Sequence, residues 1–138
     1  AFWETKFPDW TPGYIVETAH MFRGELAREY KPHCFNGIPR LIQGHYIHRG
    51  ETTHAWWYEG RFVDVGKESK RLDPDYPLPP EGWEELASSV AQRFWWVPFL
   101  RVDMFWTDSG WKVGELADHV GNRWFNKEWD RRLGEWWL

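Results

Sequence analysis

Arg101, Asp103 and Glu115 are the residues of this chain whose types and spacing best suit chemistry. Alternation along a strand over 99–107 puts Arg101 and Asp103 on one side, together with Phe105. A second strand after a turn would bring Glu115 to the same face. Two carboxylates beside a guanidinium form a set that suits Mg²⁺ and phosphate oxygens. The alternatives are two exposed acids on a solvated sheet face, with Arg101 as their ion-pair partner.

The turn over 108–110 predicts how these two strands pair. Asp-Ser-Gly, with the glycine in the left-handed conformation, is a favoured three-residue closure of a hairpin. This register sets Asp103 opposite Glu115 and Arg101 opposite Ala117. Since facing carboxylates repel, the pair requires a cation between them or a raised pKa on one member.

The surrounding pattern predicts an α+β fold, with an antiparallel sheet and flanking helices in a single domain over 1–138. Asn36-Gly37 predicts a hairpin that pairs 28–35 with 38–44. Apolar residues at helical spacing predict helices over 81–94 and about 126–137, the second capped by Asn126. We expect an extended arm over 1–13 and a surface loop over 64–82, where prolines and charges are frequent.

Several short segments, in order along the chain, resemble the TupA-like (teichuronopeptide-biosynthesis type) branch of the ATP-grasp enzymes. Arg101-Val-Asp103, a hairpin and then Gly114-Glu-Leu116 resemble the metal-binding hairpin of that family. The other matching segments are Tyr14-Ile-Val-Glu17, Glu29-Tyr-Lys31, Cys34-Phe-Asn-Gly37, Glu128-Trp-Asp130 and Leu133-Gly134. The resemblance covers the family's C-terminal lobe and not the lobe with the glycine-rich flap and its lysine.

The resemblance implies a role for each matching residue. Asp103 and Glu115 match the metal-ligand positions, and Arg101 matches the arginine on the phosphate side. Glu17 resembles the hinge acid beside the adenosine, and Glu29 and Lys31 lie on the strand along the nucleotide pocket. The pattern departs at Ala117, which has no side-chain oxygen and leaves a third metal contact in doubt.

Composition excludes several classes of function. A formal net charge of −4 over 138 residues gives no basic footprint for nucleic acid. The longest apolar run, 94–100, contains a proline and is too short to span a bilayer. The single cysteine excludes an intrachain disulfide. His45, His48 and His54 lack the spacing of a zinc site, so we do not expect one.

Tryptophan is unusually frequent, with thirteen residues that come partly as adjacent pairs. They could fill a core, form a packing surface for a partner, or form a platform for carbohydrate. Adjacent rings on a strand face opposite sides, and both pairs named next lie near element ends. We therefore expect Trp56, Trp57, Trp136 and Trp137 to include rings that face outward and contact another protein chain.

Two functions follow from the resemblance. The first is a non-catalytic accessory or structural subunit, derived from half of an ATP-grasp fold and docked through tryptophans, that binds no cofactor alone. The second is the C-terminal half of an ATP- and Mg²⁺-dependent carboxylate–amine ligase in cell-surface polymer biosynthesis. The sequence favours the first, because a closed, water-poor cleft for ATP needs both lobes.

Overall fold

The described residues form a six-stranded antiparallel sheet, a separate two-stranded sheet and two helices, and the predicted α+β class is confirmed. The computed structural model describes residues 18–48, 50–66, 71–119 and 125–137. The elements are β1 (Met21–Phe22), β2 (Glu25–Leu26), β3 (Glu29–Phe35), β4 (Ile38–His48), β5 (Glu51–Tyr58), β6 (Arg61–Phe62), α1 (Trp83–Gln92), β7 (Phe99–Thr107), β8 (Gly110–Ala117) and α2 (Lys127–Trp137). β1 and β2 pair separately, and the large sheet has the order β6-β5-β4-β3-β7-β8.

The hairpin of β3 and β4 forms as Asn36 and Gly37 predict. Both residues have positive φ, +50° and +79°, as a two-residue hairpin turn of this sequence requires. Phe35 pairs with Ile38, but His33 pairs with Leu41, so the register shifts by one residue within the hairpin. This bulge changes which side chains of β4 lie beside those of β3.

The hairpin of β7 and β8 has the predicted pairing for a different reason. Thr107 pairs with Gly110, so the connection has two residues and the predicted three-residue turn is wrong, although Gly110 has the expected positive φ of +92°. A register shift after Asp103 adds one residue to β8. Asp103 therefore faces Glu115 as predicted. The extra residue is Gly114, where a Cβ would lie 2.5 Å from the ring of Phe105.

The two helices pack on opposite faces of the sheet. On α1, Ala87 and Ala91 are buried against apolar residues of β7, including Val102 and Met104. On α2, Trp129 and Leu133 are buried with Phe35 and Phe99. Both predicted helices are confirmed with slightly shorter bounds. None of the helices in the described ranges is both long and apolar enough to cross a bilayer.

Asn126 caps α2 as predicted. Its Oδ1 accepts hydrogen bonds from the backbone N–H groups of Glu128 and Trp129, each at 3.0 Å. These bonds satisfy two of the donors that the first turn of a helix leaves open. The cap fixes the start of α2 and thereby the position of its apolar face over the sheet.

The tryptophan pairs differ in exposure from what the sequence predicted. Trp56 and Trp57 are 2% and 5% exposed, so the expectation that they face outward is wrong. They point to opposite faces, and each one enters a separate apolar cluster. Trp136 packs at the edge of the first cluster, while Trp137 is 41% exposed.

Of the predicted arm over 1–13 and the predicted loop over 64–82, only the loop falls among the residues that the structure describes. The arm over 1–13 lies outside them. Most of 64–82 lies within them and has no regular strand or helix. Val65 and Tyr76 from this segment are nonetheless buried, each 3% exposed. Tyr76 contacts Gly44, where a Cβ would lie 2.6 Å from its ring.

Candidate functional site

Asp103 is the centre of a charged cluster on the sheet face that α2 only partly covers. Its side chain is fully buried. Oδ1 accepts a hydrogen bond from Nε of Arg101 at 2.6 Å, and Oδ2 accepts one from Nη2 at 2.8 Å. Lys31 Nζ donates to Oδ2 at 2.8 Å from the neighbouring strand β3. One buried carboxylate therefore holds two cations that come from two strands.

Strand geometry explains why these side chains meet. β3 and β7 are adjacent and antiparallel, and alternation places Lys31, Arg101 and Asp103 on the same face. Buried charges are stable only when they are paired and hydrogen-bonded. Burial acts to lower the pKa of Arg101, but the hydrogen bonds and charge of Asp103 outweigh it and raise that pKa. Arg101 and Asp103 thus form a charged pair held together inside the fold.

Glu29 extends the cluster toward β4. Its Oε2 lies 3.0 Å from Lys31 Nζ and 2.8 Å from His45 Nδ1. Both Lys31 and Glu29 are largely covered, with side chains 14% and 16% exposed. The cluster therefore continues from β7 through β3 to β4, and its members hold one another in fixed positions.

Glu115 and Ala117 lie where the register prediction places them. Glu115 is the cross-strand partner of Asp103, and Ala117 is that of Arg101. Glu115 is exposed, so it is open to a ligand, whereas Asp103 is covered. The cations that two facing acids require are supplied by Lys31 and Arg101. Within the described part of the chain, no group of three or more His, Cys, Asp or Glu side chains could hold a metal ion.

His33, His45 and His54 lie beside the charged cluster on the same face of the sheet. The rings of His45 and His54 stack, with centroids 5.1 Å apart, and Gln43 Nε2 lies 3.2 Å from His54 Nδ1. Burial, followed by the electrostatic effect of the basic neighbours His45, Arg71 and Lys31, lowers the pKa of His54 to about 4. His33 is completely buried among aromatic rings, and burial lowers its pKa to about 4. Both rings are therefore neutral at pH 7.

A depression of about 320 Å³ opens beside Glu29 and His45. Its walls include Ile47, His20 and Phe105, and the last two rings stack at 4.6 Å. Small-molecule sites combine such apolar walls with a few polar groups, in volumes of roughly 300–1,000 Å³. The charged cluster therefore lies next to a concave surface with flat aromatic walls.

Sequence reasoning found five of these residues and missed others. Lys31, Glu29, Arg101, Asp103 and Glu115 were predicted from the resemblance and from the hairpin, and the structure brings them to one face. Glu17 lies outside the described residues. His33 and His45 were missed as members of the cluster. A two-residue hairpin without a bulge would place Gly44 opposite Glu29, whereas the bulge places His45 there.

Comparison with known proteins identifies the family of this chain. The family model of the TupA-like ATP-grasp proteins matches residues 4–138. No curated protein and no solved structure gives a significant match. The match covers nearly the whole chain, including the Lys31–Asp103–Arg101 cluster and the β7–β8 hairpin. The chain therefore belongs to the TupA-like ATP-grasp family.

Proposed function

We propose that this chain supplies the phosphate side of an ATP- and Mg²⁺-dependent carboxylate–amine ligase site. The observation that carries the proposal is the pairing of Lys31 and Arg101 on the buried carboxylate of Asp103. Two cations fixed side by side are suited to the closely spaced negative charges of a nucleotide polyphosphate. The reaction would activate a carboxylate as an acyl phosphate, which an amine then attacks. The family context suggests cell-surface polymer synthesis.

The energetics of the cluster favour a functional role over a purely structural one. Removing charges from water costs several kcal/mol per ion, and apolar replacements of buried ion pairs are often equally stable or more stable. An ordinary core would be built more simply from apolar side chains. Lys31, Glu29 and Asp103 are nevertheless placed together where the apolar cluster under α2 ends. Binding of an anionic ligand is a direct reason to keep them.

Mg²⁺ fits this site when it arrives with phosphate. A carboxylate offers about four acceptor positions, and Asp103 uses three of them for Lys31 and Arg101. Glu115 is exposed across the hairpin. Mg²⁺ is usually held by one or two carboxylates plus substrate phosphates. Asp103 and Glu115 would hold the ion, which neutralises phosphate charge. Lys31 and Arg101 would turn from Asp103 toward the phosphates.

The depression beside Glu29 suits the other end of the nucleotide. His20 and Phe105 present stacked rings at its wall, and a purine base is a flat aromatic group that such rings bind well. Glu29 joins the two parts, since it lines the depression and contacts Lys31. A nucleotide could therefore lie along β3, with its base beside Phe105 and its phosphates beside Arg101.

The accessory-subunit function is the second candidate. Asp103 is covered and its cations are already paired, which is also what a structural ion-pair network requires. Trp95 and Trp96 are 80% and 62% exposed and give the chain an apolar surface outside its core. This function predicts that Lys31 and Arg101 stabilise the fold without binding a ligand.

Titration of the chain with Mg·ATP, followed by NMR chemical shifts, distinguishes the two functions. Because one lobe leaves the phosphates open to water, we expect no ATP hydrolysis and binding of millimolar strength at most. We expect Lys31→Gln and Arg101→Gln to weaken that binding about tenfold each, since each removes a charged contact. Lys112→Gln, an exposed lysine on β8, is the matched control and should bind normally.

Circular dichroism of each variant checks that it remains folded. Shifts in the wild-type spectrum that are absent in both site variants would support the ligase site. No shift at saturating Mg·ATP, or equal weakening in Lys112→Gln, would refute it and favour the accessory subunit. Micromolar binding of Mg·ATP would exclude the accessory function.

A further inference from the structure

The structure leaves large apolar side chains exposed at the end of the sheet opposite the charged cluster. Trp95 and Trp96 follow α1 directly and are 80% and 62% exposed. Ile38 begins β4 and is 47% exposed, and Trp137 ends α2 with 41% exposed. We name these four side chains the tryptophan end.

Backbone contacts show that the four residues lie at the same end of the fold. The β3–β4 turn at Asn36 contacts the chain segments that carry the other exposed side chains. The N–H of Asn36 donates to the carbonyl of Pro98, two residues after Trp96, at 2.8 Å. Its side-chain amide donates to the carbonyl of Trp136 at 3.3 Å. Ile38 is two residues further along β4, and Trp137 stacks on Phe99 at 5.4 Å. The end of α1, the β3–β4 turn and the end of α2 therefore meet here.

Two exposed arginines lie close in sequence to residues of this apolar surface. Arg93 lies two residues before Trp95, and Arg40 lies two residues after Ile38, at the bulge of β4. Both are exposed, and neither forms an ion pair with any residue that the structure describes. Glu135, the acid nearest to Trp137 along α2, pairs with Arg131. The chain is acidic overall, so cations around one apolar end are a local feature.

We propose that the tryptophan end binds the surface of an anionic membrane. Indole rings partition to the boundary between headgroups and hydrocarbon, where one side is apolar and the other is wet. Arginines beside them attract anionic headgroups. A protein partner would also cover indoles, but the two exposed arginines complement a negative surface. The proposal does not depend on nucleotide binding, since the charged cluster lies at the other end of β3.

Flotation of the chain with lipid vesicles tests this inference. The probes are vesicles of equimolar phosphatidylcholine and phosphatidylglycerol, and vesicles of phosphatidylcholine alone. We expect binding to the anionic vesicles, with less binding as salt is raised, because salt screens exposed charges. Trp95→Ala combined with Trp96→Ala should reduce the partition coefficient by at least about tenfold, since two largely exposed rings are lost.

Charge reversal separates the electrostatic contribution. Arg93→Glu changes the charge of the side chain by two units, and each unit near an anionic surface contributes about 1 kcal/mol. This variant should therefore bind anionic vesicles roughly thirtyfold more weakly. Lys112→Glu on β8 makes the same change at the other end of the sheet and should have little effect. Leu78→Ala removes an apolar side chain that is 61% exposed near the start of α1, and it is the control for the tryptophans.

Three results would overturn the proposal. One is an absence of binding to anionic vesicles; another is equal loss in the control and test variants. The third is reversible self-association of the wild-type chain in sedimentation that Trp95→Ala with Trp96→Ala abolishes, with no vesicle binding. That outcome would assign the tryptophan end to a second copy of the chain.

Discussion

Replacement of Asp103 by asparagine tests whether the charged cluster is organised by one buried carboxylate. The variant keeps the shape of the side chain but leaves Lys31 and Arg101 covered and without their shared counter-ion. Removing one partner of a buried ion pair costs about 3–5 kcal/mol, because the remaining charge stays away from water. Lys31 retains Glu29 at 3.0 Å, so we expect the lower end, about 3 kcal/mol.

Thermal unfolding followed by circular dichroism measures this loss. The entropy of unfolding is about 2.1 cal/mol/K per residue, so 3 kcal/mol in a chain of this length lowers the melting temperature by roughly 10 °C. Glu115→Gln is the matched control, since it neutralises the exposed acid that faces Asp103 across the hairpin. We expect that variant to change stability by less than about 0.5 kcal/mol.

Two outcomes would refute this reasoning. If Asp103→Asn and Glu115→Gln lower the melting temperature equally, the burial of Asp103 has no energetic consequence. If the double variant Asp103→Asn with Lys31→Met is no more stable than Asp103→Asn alone, the loss of stability does not come from an uncompensated Lys31 charge. We expect partial recovery, because the double variant removes a buried cation together with its counter-ion.

Three further outcomes test the surrounding fold. Because burial lowers the pKa of His33 to about 4, the unfolded chain binds a proton at this residue before the folded chain does as pH falls. His33 should therefore contribute about 2 kcal/mol to the stability that urea unfolding shows to be lost between pH 7.5 and 5, and His54, with a similar pKa, should contribute separately. His33→Leu should remove the contribution of His33, and a pH dependence unchanged by the substitution would contradict this. Gly44→Ala should lower the free energy of unfolding by about 1–3 kcal/mol in the same assay, since its Cβ would lie 2.6 Å from the ring of Tyr76. Gly60→Ala is the control for backbone strain alone, because φ is positive there and nothing lies within 4 Å of the added Cβ. Asn126→Ala should cost about 1 kcal/mol through loss of the helix cap, and equal stability of Asn126→Ala and wild type would show that packing alone positions α2.

Periodicity and turn chemistry predicted the elements of this fold well. The Asn36-Gly37 turn and the apolar stripe of α1 are local signals, and a single segment of sequence contains each of them. Asn126 was also readable as a cap, because its side chain acts on the next turn of the chain. What the sequence could not show was where a strand gains an extra residue. A bulge depends on contacts with other strands, as Gly114 shows by making room for the ring of Phe105.

The two bulges had opposite effects on the prediction of the site. In β8 the extra residue compensated for a turn that was one residue too long, so Asp103 and Glu115 were paired correctly. In β4 the extra residue was not foreseen, and His45 was not recognised as the partner of Glu29. A register error of one residue changes every cross-strand neighbour beyond it. Site residues predicted across a hairpin therefore depend on the turn and on every bulge between the turn and the site.

The exposure of tryptophan was difficult to predict for a different reason. Adjacent rings on β5 do point to opposite faces, as alternation requires, but this sheet is covered on both faces. Trp56 and Trp57 are consequently both buried. Trp95 and Trp96 are exposed because they follow the last turn of α1, where the chain leaves the helix before β7 begins. Position relative to the ends of elements, rather than the number of tryptophans, decides which rings are left for the surface.

The placement of charge along β3 connects these observations. Its first half contributes Glu29 and Lys31 to the charged cluster, and its second half contributes Phe35 to the apolar core under α2. One strand thus passes from a polar, ligand-sized surface to a closed core within seven residues. Anchoring by the core fixes the backbone from which the Lys31 side chain extends to Asp103 and Glu29. Rigid support from a packed core is what makes a charged cluster selective for a ligand of matching geometry.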